Sequence, residues 1–388
     1  MERYSDLSQR LVGQEMFHVL DKARRLEREG KVVCHLELGD PFSSAPEPLL
    51  EAINCALRNQ GWHYTSSGGE WALKGEIANL LKKYFSCSVS PQAITVAPAN
   101  YLITNFLSIT CNPGDKLLLI TPCFPSYIAA AKMLGLQIIE CPTSAKNAYE
   151  IDESVIGQIR LHKPRAVIVN SANNPTGAVY SQEILDRVIR VAKEVGAWIL
   201  SDETYGLLSY AKDFKTLLNN DYDRLVVLSS FSKIFSVPGL RLGYQVCRAE
   251  QYITLSEKYI STTLSCVPPF IQLGCANFLS DKIQVQNLLD SICDHYALVT
   301  QEIFKKIPVL SQWISPPKSA FYLFVPLPIG VDGKQFSLDL IEKAHVAVTP
   351  GISFGNDFNS FVRVATCGEE SAVLKGIGLL AGAIQEIQ

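Results

Sequence analysis

Short runs of consecutive apolar, largely β-branched residues alternate along this chain with longer stretches whose apolar residues recur at helical spacing. Runs at Ala166–Asn170 and Leu225–Leu228 have the length and apolarity of strands buried on both faces, and Val32–Leu38, Ile94–Ala97, Lys116–Thr121 and Trp198–Ser201 read as further strands. Between them the spacing predicts helices over Pro46–Asn59, from about Glu70, over Leu102–Ile109 and over Ser181–Val195. Residues 11–29, with Leu11, Val12, Phe17, Leu20 and Leu26 among charges and a stop at Gly30, read as an amphipathic N-terminal helix or arm. Such alternation over about residues 46–280 predicts an α/β fold: a mostly parallel central sheet with helices on both faces. The order then changes to a helix at Gln286–Ile307, a strand at Ala320–Phe324, a helix at Gln335–His345 and a strand at Phe361–Ala365, as in a smaller α+β domain. The expected division is an arm, 1–45, joining a C-terminal small domain, 286–388, beside a large domain, 46–285.

Composition narrows the function classes. A chain of 388 residues with 47% hydrophobic and 19% charged residues is long enough for two domains around sizeable cores. A net charge of −3, a pI near 6.1 and no basic stretch interleaved with aromatics argue against nucleic acid or an anionic membrane as partner. The start lacks a signal peptide's apolar core, and no apolar run approaches the ~20 residues of a spanning helix. Eleven cysteines without Cys-x-x-Cys spacing fit free thiols in a reducing compartment, so a soluble cytoplasmic protein is expected. Six histidines spread singly at 18, 35, 63, 162, 295 and 345 form no metal constellation.

The candidate chemistry gathers where predicted strands end, the edge at which open α/β sheets hold ligands. Just past Leu225–Leu228 comes Ser230-Phe231-Ser232-Lys233, then Pro238-Gly239-Leu240-Arg241-Leu242-Gly243. A lysine there can form a Schiff base if its surroundings keep the amine partly unprotonated, and Ser230 and Arg241 can donate to a phosphate. Asp202-Glu203-Thr204-Tyr205 follows another strand, Asn173-Asn174-Pro175-Thr176-Gly177 a third, and Pro98-Ala99-Asn100 opens a helix whose free N–H groups suit an anion. Gly39-Asp40-Pro41 is a turn where backbone can approach a ligand, and Arg363 stands alone among apolar strand residues.

In this order the motifs resemble those of class I/II aminotransferases, the fold-type I pyridoxal-phosphate-dependent enzymes. The resemblance covers Gly39 to Arg363 and implies pyridoxal 5'-phosphate as cofactor, with Lys233 carrying the internal aldimine and moving the proton between substrate and cofactor. Ser230, Ser232, Arg241, Ala99 and Asn100 would hold the phosphate, Phe124 of Pro122-Cys123-Phe124-Pro125-Ser126-Tyr127 would stack on the ring, and Asp202 would keep the pyridine nitrogen protonated. Asn174 and Tyr205 would face the phenolate oxygen, while Arg363, Asn174 and the Gly39 N–H would receive the substrate carboxylate. Tyr64 would reach the cofactor phosphate of a partner subunit in a homodimer. The implied substrates are an L-amino acid and a 2-keto acid.

Departures from the family pattern are Pro98 in place of a glycine, Lys74 in Leu73-Lys74 in place of an arginine, and Ala172 where many relatives carry proline. The same machinery serves β- or γ-elimination, replacement or cyclisation, for which His18 and His35 near the arm are candidate acid–base groups. A cofactor-binding regulator without turnover is disfavoured, because no DNA-binding segment is appended and Lys233, Asp202 and Arg363 are all present.

Overall fold

The computed structural model describes residues 4–59, 61–210 and 212–387. Its strands are β1 (Cys34–His35), β2 (Ile94–Val96), β3 (Lys116–Thr121), β4 (Gln137–Pro142), β5 (Ala166–Asn170), β6 (Trp198–Asp202), β7 (Leu225–Ser230), β8 (Gly243–Cys247), β9 (Tyr322–Pro326), β10 (Val346–Ala347), β11 (Thr349–Pro350) and β12 (Phe361–Ala365). Seven form one sheet in the order β2-β8-β7-β6-β5-β3-β4, in which β8 alone runs antiparallel to its neighbours. The chain leaves β3 for β4 on one side and returns to β5 on the other. Strand order reverses there, leaving a crevice at the carboxyl ends of β3 and β5.

Helices cover this sheet because their buried residues fall on one face. In Gln182–Val195, Ile184, Leu185, Val188, Ile189, Val191 and Ala192 are buried, Ser181 caps the start by accepting from the Ile184 N–H, and Gly196 ends it at a φ of 73° that a glycine adopts freely. Leu117, Leu118 and Leu119 in β3 and Val226 and Leu228 in β7 are fully enclosed. Each such side chain contributes about 1.5–3 kcal/mol by leaving water.

A second, antiparallel sheet has the order β11-β12-β9, and β1 pairs with β10 in parallel. Its core includes Leu36, Leu323, Val325, Val362, Val364 and Leu380. The helix Glu15–Arg28 packs Val19, Ala23 and Leu26 against Val33, Ile341 and Ala347. Position 286 falls inside one continuous helix, Lys282–Lys306, whose Val285, Leu289 and Tyr296 join the first core and whose Val299 and Ile303 join the second.

Local differences from the sequence reading have local causes. The amphipathic helix starts at Glu15, leaving Leu11 and Val12 exposed after a short helix, Asp6–Arg10, because Gly13 interrupts the spacing. Val32–Leu38 yields only a two-residue strand because β10 offers only two partners. Among the described residues no helix is long and apolar enough to cross a membrane.

Candidate active site

A cleft of about 430 Å³ opens at the carboxyl ends of the central strands and is closed on its far side by β9, β12 and the N-terminal segment. Strand β7 ends at Ser230, which accepts from the Ser232 N–H at 3.2 Å and donates to the Ser232 hydroxyl at 3.0 Å. That cap starts the turn Phe231–Ile234, which buries Phe231 and Ile234 and leaves Lys233 to line the cleft. The Lys233 amine donates to the Gly39 carbonyl at 2.5 Å. Burial lowers its pKa from the usual 10.5, against the nearby Cys367 and Asp40 and with the Arg363 and Arg241 charges. An amine so placed is more readily neutral and nucleophilic. Gly39 therefore meets the lysine through its carbonyl. It has to be glycine, since a Cβ there would lie 1.9 Å from the Tyr322 hydroxyl oxygen.

Ser230, Ser232, Arg241, Ala99 and Asn100 all line the cleft. Ala99 begins the helix Ala99–Thr110, with Pro98 just outside it, so the first free N–H groups belong to Ala99 and Asn100. Arg241 donates to the Pro238 carbonyl at 2.9 Å and keeps the rest of its guanidinium for other acceptors. The hydroxyls, cation and helix terminus suit a phosphate.

Asp202 is buried at the end of β6, where Tyr127 donates to its Oδ2 at 2.6 Å and the Thr204 N–H to its Oδ1 at 3.1 Å. Burial raises its pKa, and those two hydrogen bonds work against the rise. Asn170, paired in register with Asp202, donates to the Asp202 carbonyl at 3.0 Å and accepts from the Asn174 N–H at 2.9 Å. Tyr205 and Tyr322 share a hydrogen bond of 2.8 Å between their hydroxyls, and burial pushes both phenols up, Tyr322 to about 12. Phe124 lines the cleft and meets Tyr127 edge-on, with ring centroids 5.7 Å apart.

Arg363 is 1% exposed. It donates to the Asn174 side-chain oxygen at 3.2 Å, to Thr349 Oγ1 at 3.3 Å and to the Glu37 carbonyl, and its guanidinium carbon lies 4.6 Å from the Tyr322 ring centroid. Among the described residues no carboxylate stands within ion-pair distance of it, and its Nε has no partner. A buried guanidinium lining a cleft without a counter-charge is set to receive a carboxylate.

Tyr64 is 90% exposed and does not line the cleft of its own chain. His18 and His35 also lie outside it, and His35 is held between Glu27 and Glu37. Tyr127, Asn170, Thr204, Tyr322 and the arm residues Gln14, Met16 and Phe17 line the cleft without having been singled out individually. Tyr127 and Tyr322 stood in motifs already noted; Phe17 read only as an apolar position of the N-terminal helix, and nothing local to Gln14 marks it. Among the described residues no group of three or more His, Cys, Asp or Glu is disposed to hold a metal ion.

The family model for aminotransferase class I and II matches residues 35–377. The chain belongs to that family. Aspartate aminotransferase from Musicola paradisiaca is 28% identical over 394 residues, covering 100% of this chain and 98% of its own. The (5-formylfuran-3-yl)methyl phosphate transaminase of Methanocaldococcus jannaschii is 28% identical over 377 residues, covering 96% and 97%. The solved structure of aspartate aminotransferase from Thermotoga maritima superposes with a TM-score of 0.88 at 26% identity, covering 98% of this chain and 100% of that one. The fold is therefore fold-type I, and the protein is an aminotransferase of a pyridoxal-phosphate-dependent class. Elimination, replacement and cyclisation are not favoured.

Proposed function

We propose that this chain holds pyridoxal 5'-phosphate covalently at Lys233 and uses it to move an amino group between an L-amino acid and a 2-keto acid. The observation that carries the reading is the pairing, in one cleft, of a buried, uncompensated Arg363 with a partly buried Lys233 whose pKa is lowered. Ser230, Ser232, Arg241 and the N–H groups of Ala99 and Asn100 would hold the phosphate, Phe124 the ring face, Asp202 the ring nitrogen, and Asn174 and Tyr205 the phenolic oxygen. When bound, the group supplies an electron sink conjugated to the substrate's α-carbon.

The chain's own residues do the rest. Arg363, assisted by Asn174, fixes the α-carboxylate and so the orientation of the α-carbon. Asp202 would keep a proton on the ring nitrogen through its negative charge, and the Lys233 amine would take the proton from the substrate's α-carbon and deliver it to the cofactor. Tyr64, from a second copy of the chain, would complete the phosphate site of a homodimer. The working arrangement is a large domain, 46–285, and a small one, 286–388, to which the arm 1–45 is added, in the cytoplasm.

Borohydride reduction of the cofactor-loaded protein followed by peptide mapping tests the anchor. Label on Lys233 is expected, and label on another lysine with Lys233 free overturns it. In single turnover an amino-acid donor should convert the cofactor's absorption to that of its amine form, and a keto acid should restore it. Sustained turnover without an acceptor would refute amino transfer.

A further inference from the structure

Part of the cleft is left over once the cofactor and the α-carboxylate have their residues. It is walled by the first turn of the helix Glu15–Arg28, where Met16 is buried and Phe17 is 51% exposed, and by Leu38. Gln14, immediately before that helix, donates from Nε2 to Ser126 Oγ at 3.0 Å. Ser126 lies in the helix Pro125–Met133, one residue past its start and two past Phe124. The bond therefore ties the arm across the cleft and fixes where Phe17 stands. A half-exposed phenylalanine held at a cleft mouth gains when a ligand brings apolar atoms against it.

Charge points the same way. Among the described residues the cations lining the cleft are Lys233, Arg241 and Arg363. On the reading above, Arg241 answers the phosphate, Arg363 the α-carboxylate, and Lys233 is the covalent anchor. A second substrate carboxylate would find no further cation from this chain and would share the cleft with Asp40 and Asp202. Desolvating a carboxylate without a partner is strongly unfavourable. We propose that the preferred amino donor carries an uncharged, apolar side chain, aliphatic or aromatic, that packs on Met16, Phe17 and Leu38, with Phe17 as the specificity-determining residue. This inference rests on the assignment of Lys233 and Arg363 made above. It separates the chain from relatives named for aspartate.

Carboxylates that lack an amino group bind without turning over, so 3-phenylpropionate and succinate can be titrated into the cofactor-loaded protein by calorimetry. The aromatic acid should bind at least about tenfold more tightly. Phe17→Ala should lose about tenfold of that preference, and Phe17→Arg, which supplies the missing cation, should tighten succinate. In turnover, kcat/KM should rank phenylalanine or leucine above aspartate, and Phe17→Ala should lower the phenylalanine-to-alanine ratio. Tighter binding of succinate by the unaltered protein, or a Phe17→Ala variant with an unchanged preference, overturns the proposal. Failure of the underlying reading has a different signature: no cofactor fixed at Lys233, or affinities for both acids that are indifferent to Arg363→Lys.

Discussion

Tyr127 donates its hydroxyl to the Asp202 carboxylate at 2.6 Å, linking the helix that follows β3 to the end of β6 across the point where strand order reverses. A hydrogen bond to the ionised form favours it, so this contact opposes the rise that burial imposes on the Asp202 pKa. Tyr127→Phe removes a charge-assisted bond worth about 1.5–3 kcal/mol. Asp202 should then take up its proton at higher pH, moving the acid limb of the kcat profile upward. A Tyr127→Phe enzyme with an unaltered pH profile would show that the contact is only structural.

Arg363 is the clearest binding prediction, because a fully enclosed guanidinium without a carboxylate has little to gain from the fold alone. Arg363→Lys keeps the charge but loses the planar fork, and should raise KM for the amino donor with a smaller change in kcat. Loss of about 1.5–3 kcal/mol of charge-assisted binding corresponds to at least tenfold in KM. The lysine variant is preferred to alanine because it avoids leaving a cavity between Tyr322 and Phe354. An unchanged KM would move the carboxylate site elsewhere.

Strands β3 and β5 were legible to the residue because both are continuous apolar runs buried on both faces. Strand β8 was not, because it carries Gln245, fully buried and bonded to Asn105, Ser256 and Tyr252, which breaks the apolar run. The edge strand β4 is only partly buried and shows no clear period. That Lys233, Asp202 and Asn174 line one cleft was legible because each sits in a dense local motif at a strand end. That Gln14 and Phe17 join them was not, because the arm reaches the cleft through a contact 112 residues distant in sequence, Gln14 to Ser126, which no local pattern encodes.

His35 gives the chain a stability term with a defined sign. Its two ring nitrogens lie 2.9 Å from Glu37 and 3.0 Å from Glu27, and the Glu37 hydrogen bond, ahead of the other contacts, raises its pKa to about 9 against the opposing effect of burial. Folding therefore tightens proton binding, so the contribution is complete below the unfolded value near 6.5 and disappears as pH rises through about 9. The side chain is 37% exposed, and solvent screening holds the effect to roughly 1 kcal/mol or less. The melting temperature should fall over that window more steeply in the native protein than in His35→Gln. A difference between the two that stays constant with pH would remove His35 from the account.

Tyr64 carries the prediction about assembly. The residue is 90% exposed, lies outside its own cleft, and has the large apolar neighbours Trp62 and Trp71 exposed in the same region of the chain. Covering them in a homodimer would remove apolar surface from water and bring the Tyr64 hydroxyl to the other copy's phosphate site. Tyr64→Phe should weaken cofactor retention and lower activity, and Lys233→Ala should abolish activity. If the two chains exchange, a hybrid dimer pairs the Lys233 of the first variant with the Tyr64 of the second and restores one complete site. Random pairing of equal amounts makes half the dimers hybrid, so about one site in four should recover. Activity should then rise on mixing, with a time course set by subunit exchange, whereas a fully active monomer at assay concentration, or mixtures no more active than the separate variants, would show that Tyr64 does not act across an interface.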